Sequence, residues 1–181
     1  MTGYLHLITG PMFAGKSTRL IGLISKLSIL KKIYIINSSL DNRYNNNSIT
    51  THSKFSCNAN SLSNLNLDYE QLKKIREEYE VITIDEAQFF NDLYNFVKMA
   101  LELNFHIIVC GLNGNYKQEK FGDILDLIPI ANNVELLKGY CMICKDGTEG
   151  IFTKRISNNT DEIVVGNEDK YMCVCRKHII D

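Results

Sequence analysis

The chain has 181 residues, 45% of them hydrophobic, which suffices for one sizeable α/β core with a small appendage and no more. With 20 basic and 21 acidic residues the formal charge is −1, so composition offers no reason to expect a nucleic-acid polymer or an anionic membrane as partner, and any phosphate binding must be local. Cys57 and Cys110 stand apart and the other four cysteines lie beyond residue 140 at metal-like spacing, a pattern of a reducing compartment; with no apolar run near the roughly 20 residues of a bilayer span and no signal-like N-terminus, the expectation is a soluble cytoplasmic protein.

Residues 5–9 form a short apolar strand candidate, and the Gly-containing turn after it opens a segment, 16–30, with apolar residues at helical spacing. Residues 32–37 read as a second buried strand. The stretch 38–66, rich in Asn and Ser, reads as a long loop. Residues 68–80 are helical in pattern, 81–84 make a third strand that runs into acidic residues, 92–103 an amphipathic helix, and 105–110 a fourth strand. This alternation predicts an α/β fold, a parallel sheet flanked by helices. After a further β-type run at 134–137 the character changes to paired cysteines, Gly-rich turns and two short β-type runs at 151–156 and 162–165. A boundary near Lys138 divides the chain into an α/β domain, 1–138, and a small β lobe, 139–181.

The turn after the first strand reads Gly10, Pro11, Met12, Phe13, Ala14, Gly15, Lys16, Ser17, which fits G-x-x-x-x-G-K-[ST] in the strand-to-helix setting that the motif requires. Glycines let backbone N–H groups turn inward around a polyphosphate, Lys16 reaches the outer phosphates, and Ser17, assisted by Thr18, suits Mg²⁺ ligation. The fold is therefore expected to be of the P-loop NTPase type, with ATP or GTP as ligand; a Gly-bearing turn that merely precedes a helix is the alternative. Asp85 and Glu86 stand at the C-terminal edge of the third strand, where open α/β sheets place their ligands. Asp85 suits a metal-holding role, and Glu86 that of a general base for an alcohol acceptor, against the plain reading of a solvated turn.

Arg43, within Asp41-Asn42-Arg43-Tyr44, lies in the polar loop. Read alone, it is either a clamp on a transferring phosphoryl group or a solvated side chain. His6, His52 and His106 have no partner that the sequence exposes. Cys141-x-x-Cys144 and Cys175-x-x-His178 are two ligand pairs separated by 30 residues. Zn²⁺ takes four N/S ligands in a tetrahedron, and two short turns presenting two each supply them with no open position, which argues for a structural site. Cys173 also lies within reach of His178, but Cys175 repeats the x-x spacing of the first pair.

Together GPMFAGKS, DNRY, TH, DEAQFF, the run from GLNGNY through KFGDILDLIP, TKR, VVG, DKY and the zinc pairs resemble the tetrameric, zinc-containing thymidine kinases of cells and large DNA viruses, over essentially the whole chain. The resemblance implies ATP- and Mg²⁺-dependent phosphorylation of thymidine with Glu86 as catalytic base. It also implies a homotetramer and inhibition by dTTP. It places Arg43 near the phosphates with Asp41 close by, and Lys16, Ser17 and Asp85 in the ATP and Mg²⁺ site. Met12, Phe89, Leu112, Tyr116 and Phe121 match positions that line the nucleoside pocket. Thr153, Glu162, Ile163, Val164, Val165, Gly166 and Tyr171 match a lasso loop whose backbone groups bond the edge of the base. Cys175, not Cys173, falls on the motif position. The chain departs from the common pattern at Asn113 (aspartate), Tyr116 (phenylalanine), Ala87 (glycine) and His178 (often cysteine). A P-loop ATPase whose second lobe grips a nucleic acid or a protein is the contrasting class; TKR and CRKH provide no basic stripe interleaved with aromatic residues for it. Within the kinase class, deoxyuridine and deoxycytidine are alternative acceptors.

Overall fold

The computed structural model describes residues 2–40, 48–50, 56–157 and 169–180. Its centre is a six-stranded, all-parallel sheet made of β1 (Tyr4–Gly10), β2 (Ile33–Ser38), β5 (Asn60–Leu62), β6 (Val81–Asp85), β7 (His106–Leu112) and β8 (Asn133–Leu136), in the order β5-β2-β6-β7-β1-β8. The central strands β1, β6 and β7 are buried along nearly their whole length, with mostly apolar residues, because both of their faces are covered. Leu5, Leu7, Ile82, Ile84, Ile107 and Val109 point into one core. Ile8, Ile108 and Cys110 point into the other.

Three helices close these two cores. α1 (Lys16–Leu27) turns Leu20 and Ile24, one helical repeat apart, onto the second core. α2 (Tyr69–Glu78) and α3 (Leu93–Glu102) cover the first with Leu72 and with Leu93, Phe96, Val97 and Ala100. α2 starts at a reciprocal cap: the Asp68 carboxylate accepts the Gln71 N–H, and the Gln71 side chain accepts the Asp68 N–H, both at 2.8 Å. α1 ends at Leu27 rather than at residue 30, which leaves Ile29 and Leu30 exposed.

The described residues of the Asn/Ser-rich stretch include three short strands. β3 (Ser48–Thr50) and β4 (Ser56–Asn58) pair antiparallel, and β5 adds the outermost strand beside β2. Single apolar residues anchor it, Ile49 in one core and Leu65 in the other, each 1% exposed. A 3-10 helix, Ile124–Ile130, buries Ile124 and Leu127 and leads into β8, which adds a parallel strand beside β1.

Beyond Leu137 the strands are short. β9 (Gly139–Tyr140) pairs with β10 (Glu149–Gly150), β11 (Phe152–Arg155) pairs with β12 (Tyr171–Val174), and α4 (Arg176–Ile180) closes the chain. β12 and α4 are elements that the paired-cysteine spacing alone did not disclose. Among the described residues no helix is long and apolar enough to cross a membrane.

Candidate active site

The C-terminal ends of β1, β6 and β7 meet along one edge of the sheet, and the chemistry-bearing residues collect there. β1 ends at Gly10 and α1 begins at Lys16, so the P-loop signature is the turn between them. Gly10 has φ +150°, and a Cβ there would lie 2.4 Å from the Leu137 carbonyl oxygen, so the chain can pass this point only without a side chain. Gly15 caps α1 in a left-handed conformation with no side-chain cap, which leaves the first-turn N–H groups of the helix to the loop and to any anion it holds. Lys16 is buried, and its Nζ donates to the Pro11 carbonyl at 2.8 Å, bending the ammonium over the loop. Ala14 and Ser17 are half-buried and Thr18 is exposed.

Asp85, the last residue of β6, is 4% exposed, with Ser17 and Cys110 close enough to act on its carboxyl. Burial, and then the charge of Glu86, push its pKa up to about 6. Two carboxylates crowded into a buried position beside a hydroxyl are a donor set suited to a divalent cation, whose charge would relieve both effects. Glu86 follows with φ 50° and ψ 40°, in the left-handed region that non-glycine residues rarely adopt. Its N–H donates to the Asp85 carboxylate at 3.0 Å, and the chain then turns into a 3-10 helix, Ala87–Phe89.

Met12, Leu112 and Tyr171 form a small apolar cluster of their own, with Phe13, Tyr116 and Phe121 packed against it. Phe89 meets Phe121 edge to face at 5.7 Å. The cluster therefore stands on the P-loop, on the end of β7 and on β12 at once. Two polar contacts tie it together. The Thr153 hydroxyl accepts the Met12 N–H at 3.0 Å, joining β11 to the P-loop. The Arg155 guanidinium lies 3.7 Å over the Tyr116 ring and 5.4 Å from that of Tyr171, and it donates to the Tyr171 hydroxyl at 2.9 Å.

Cys141, Cys144, Cys175 and His178 bring their ligand atoms within 4.8 Å of one another. The His178 Nδ1 lies 3.4 to 3.5 Å from the three sulfurs, and the Cys144 and Cys175 sulfurs are 3.8 Å apart. These are the edges of a tetrahedron around a point about 2.3 Å from each sulfur, so the quartet is compatible with structural zinc. Burial works to raise the Cys141 pKa, but N–H groups of the two turns and His178 outweigh it and draw the thiol down to about 5. Burial and its sulfur neighbours push Cys144 up to about 11. A divalent cation would convert this shared proton load into three thiolates. Cys173 sits outside the quartet, its sulfur filling the space over Gly139 and Gly150.

Arg43, with Asp41 and His52, and the lasso positions Glu162, Ile163, Val164, Val165 and Gly166 lie outside the described residues. Two contributors escaped the sequence reading although their motifs were in view: Arg155 in TKR, and Gln88 in DEAQFF, a polar residue flanked by Ala87, Phe89 and Phe90 and only 2% exposed.

A family model for thymidine kinase matches residues 3–179. This chain belongs to the thymidine kinase family. A thymidine kinase of myxoma virus (strain Uriarra) is 40% identical over 177 residues, 97% of this chain and 95% of the relative. Thymidine kinase a of Arabidopsis thaliana is 41% identical over 182 residues, 99% of this chain and 76% of the relative. A thymidine kinase of Oryza sativa subsp. japonica is 38% identical over 183 residues, 99% of this chain and 67% of the relative. Each of these matches spans nearly the whole of this chain.

Proposed function

We propose that the protein transfers the γ-phosphoryl group of ATP to the 5′-hydroxyl of thymidine, giving dTMP, with the phosphates on residues 1–138 and the base gripped by residues 139–181. The observation that carries this reading is the position of the apolar cluster. Met12, Leu112 and Tyr171 place a surface suited to a flat base with a methyl group on the same strand ends as Lys16 and Glu86. A water-activating ATPase has no use for such a surface.

In this reading Lys16 exchanges the Pro11 carbonyl for phosphate oxygens, and the N–H groups of residues 10–18 surround the polyphosphate. Ser17 and Asp85 would hold Mg²⁺, which when bound neutralises charge on the transferring group. Glu86 accepts the proton of the 5′-hydroxyl as the new O–P bond forms and the bond to the ADP oxygen breaks. Arg43 steadies the equatorial oxygens, and the backbone of residues 162–166 reads the base edge, roles that rest on the family resemblance. The Cys141, Cys144, Cys175 and His178 quartet holds structural Zn²⁺ and so fixes both ends of the segment that carries Thr153, the lasso and Tyr171. A homotetramer with dTTP as feedback inhibitor completes the reading.

The test is a panel of the four deoxynucleosides with ATP and Mg²⁺, read by monophosphate formation. Preference for thymidine, with ATP turnover that requires the nucleoside, supports the proposal. Turnover without any nucleoside, or turnover stimulated by DNA or RNA, overturns it.

A further inference from the structure

Resting on the reading of Glu86 as the general base, we propose that Gln88 is the positioning residue that holds the Glu86 carboxylate in its reactive orientation, anchoring it to the end of β7. Gln88 is 2% exposed, so both ends of its carboxamide need partners. Its Oε1 accepts the backbone N–H of Leu112 at 2.9 Å, and its Nε2 donates to Glu86 Oε2 at 2.6 Å. The two bonds are not independent. A backbone N–H can only donate, so Leu112 decides which end of the amide is oxygen, and that decision turns the NH₂ toward Glu86.

The anchor is rigid. Leu112 is the last residue of β7, which lies between β6 and β1 in the middle of the sheet. The amide lies flat on that strand: a Cβ added at Gly111 would sit 2.5 Å from Gln88 Oε1, so only glycine lets the two approach. At the other end the Phe89 N–H donates to the Glu86 carbonyl and the Phe90 N–H to that of Ala87, both at 3.1 Å, closing the short 3-10 helix that carries Gln88 back over Glu86. The left-handed backbone of Glu86 is what makes this reversal possible.

A base must stand within hydrogen-bond reach of the proton it takes, and a misplacement of about 1 Å can lower the rate about 100-fold. A neutral amide suits the task. It fixes one carboxylate oxygen without neutralising the charge, as a lysine would, and without contributing a competing acid. Leu112 also belongs to the apolar cluster, so the same bond sets the base in register with the wall of the nucleoside pocket.

A purely structural role, stapling the loop after β6 to β7, is the competing explanation, and two substitutions separate them. Gln88→Met loses both the acceptor for the Leu112 N–H and the donor to Glu86 at similar bulk; Gln88→Glu keeps the acceptor but crowds a further carboxyl against Glu86, where burial favours a proton shared between the two. Each is measured alone and in the Glu86→Gln background by steady-state and single-turnover kinetics, with thermal unfolding to monitor the fold. In the otherwise native chain we expect Gln88→Met to lower kcat about 10- to 100-fold, with the KM values for thymidine and ATP changing by less than about threefold. In the Glu86→Gln background neither substitution should reduce the residual rate further, because the group Gln88 positions is already gone. Full kcat in Gln88→Met, an effect confined to KM, or the same fold-loss in both backgrounds overturns the proposal. Near-normal turnover in Glu86→Gln overturns the base assignment and the positioning role with it, whereas a dead Glu86→Gln beside a fully active Gln88→Met overturns the positioning role alone.

Discussion

The P-loop with its acidic neighbours and the C-terminal segment that faces them meet at Met12, yet they are held by different means. Residues 10–18 and 85–88 hang from strands paired on both sides within the six-stranded sheet, and their shape follows from backbone conformation, from the φ of Gly10 to the left-handed turn at Glu86. Among the described residues, 139–157 and 169–180 have only strands of two to four residues and one helix of five. Such elements bury too little to stand alone. On the proposed reading the Cys/His quartet, holding zinc, makes up the deficit: zinc binding in small zinc peptides contributes on the order of 10 kcal/mol to folding. The phosphate side would then be built by the fold and the nucleoside side by a metal clip, with the Thr153 hydroxyl on the Met12 N–H as a link between them, worth about 1 kcal/mol.

Five substitutions probe that contrast, the largest effect first. Glu86→Gln removes the base while keeping its shape, so turnover should fall by about 10² to 10⁴ with thymidine and ATP still bound in equilibrium titrations. Turnover close to that of the parent would show that proton removal is done elsewhere. Cys175→Ser should lose bound zinc, and with it thymidine affinity, whereas Cys173→Ser should retain about one zinc per chain and most activity, because the Cys173 sulfur only fills space beside Gly139 and Gly150. Metal analysis of the two purified proteins decides; zinc kept in the first and lost in the second would reassign the site.

Arg155→Met should raise the thymidine KM by about 2- to 30-fold, the range of a cation–π contact, and leave that for ATP nearly unchanged. A shift in the ATP value instead would place Arg155 on the phosphate side. The smallest effect belongs to a control away from both halves. Glu135 on β8 accepts from Arg19 at 2.8 and 2.9 Å and lies 2.7 Å from His6 Nε2. The hydrogen bonds from Arg19 hold its pKa below the usual carboxylate value, so its stabilisation is present above that value and is lost as pH falls through the lowered one. Arg19 is exposed and Glu135 half-buried at the surface, so Glu135→Gln should cost at most about 1 kcal/mol at pH 7, with kcat and both KM values unaltered, and the difference from the parent should vanish in acid. A change in kcat would connect β8 to the chemistry.

The parts legible in the sequence were those whose chemistry repeats at fixed spacing. The P-loop, the acidic pair and the Cys/His pairs needed only residue type and separation, and the apolar runs of β1, β2, β6 and β7 stood out because both faces are buried. What stayed hidden depends on contacts between segments distant in sequence. β5 is a three-residue strand in a polar stretch, fixed by pairing with β2 rather than by its own pattern. Thr153 reaches Met12 across 141 positions, and the partners of Gln88 lie on two different strand ends. Arg155 reads as one more basic residue until Tyr116 and Tyr171 are placed around it.

The contrast between the two halves is tested most directly by paired binding titrations of thymidine and of Mg-ATP on the same preparation before and after a chelator removes the zinc, with far-UV circular dichroism to follow the sheet. The account predicts that the sheet persists, that thymidine affinity falls at least about tenfold, and that ATP affinity changes by no more than the few-fold equivalent of the single Thr153 link. Equal loss of both affinities, or thymidine binding that survives without the metal, would contradict it.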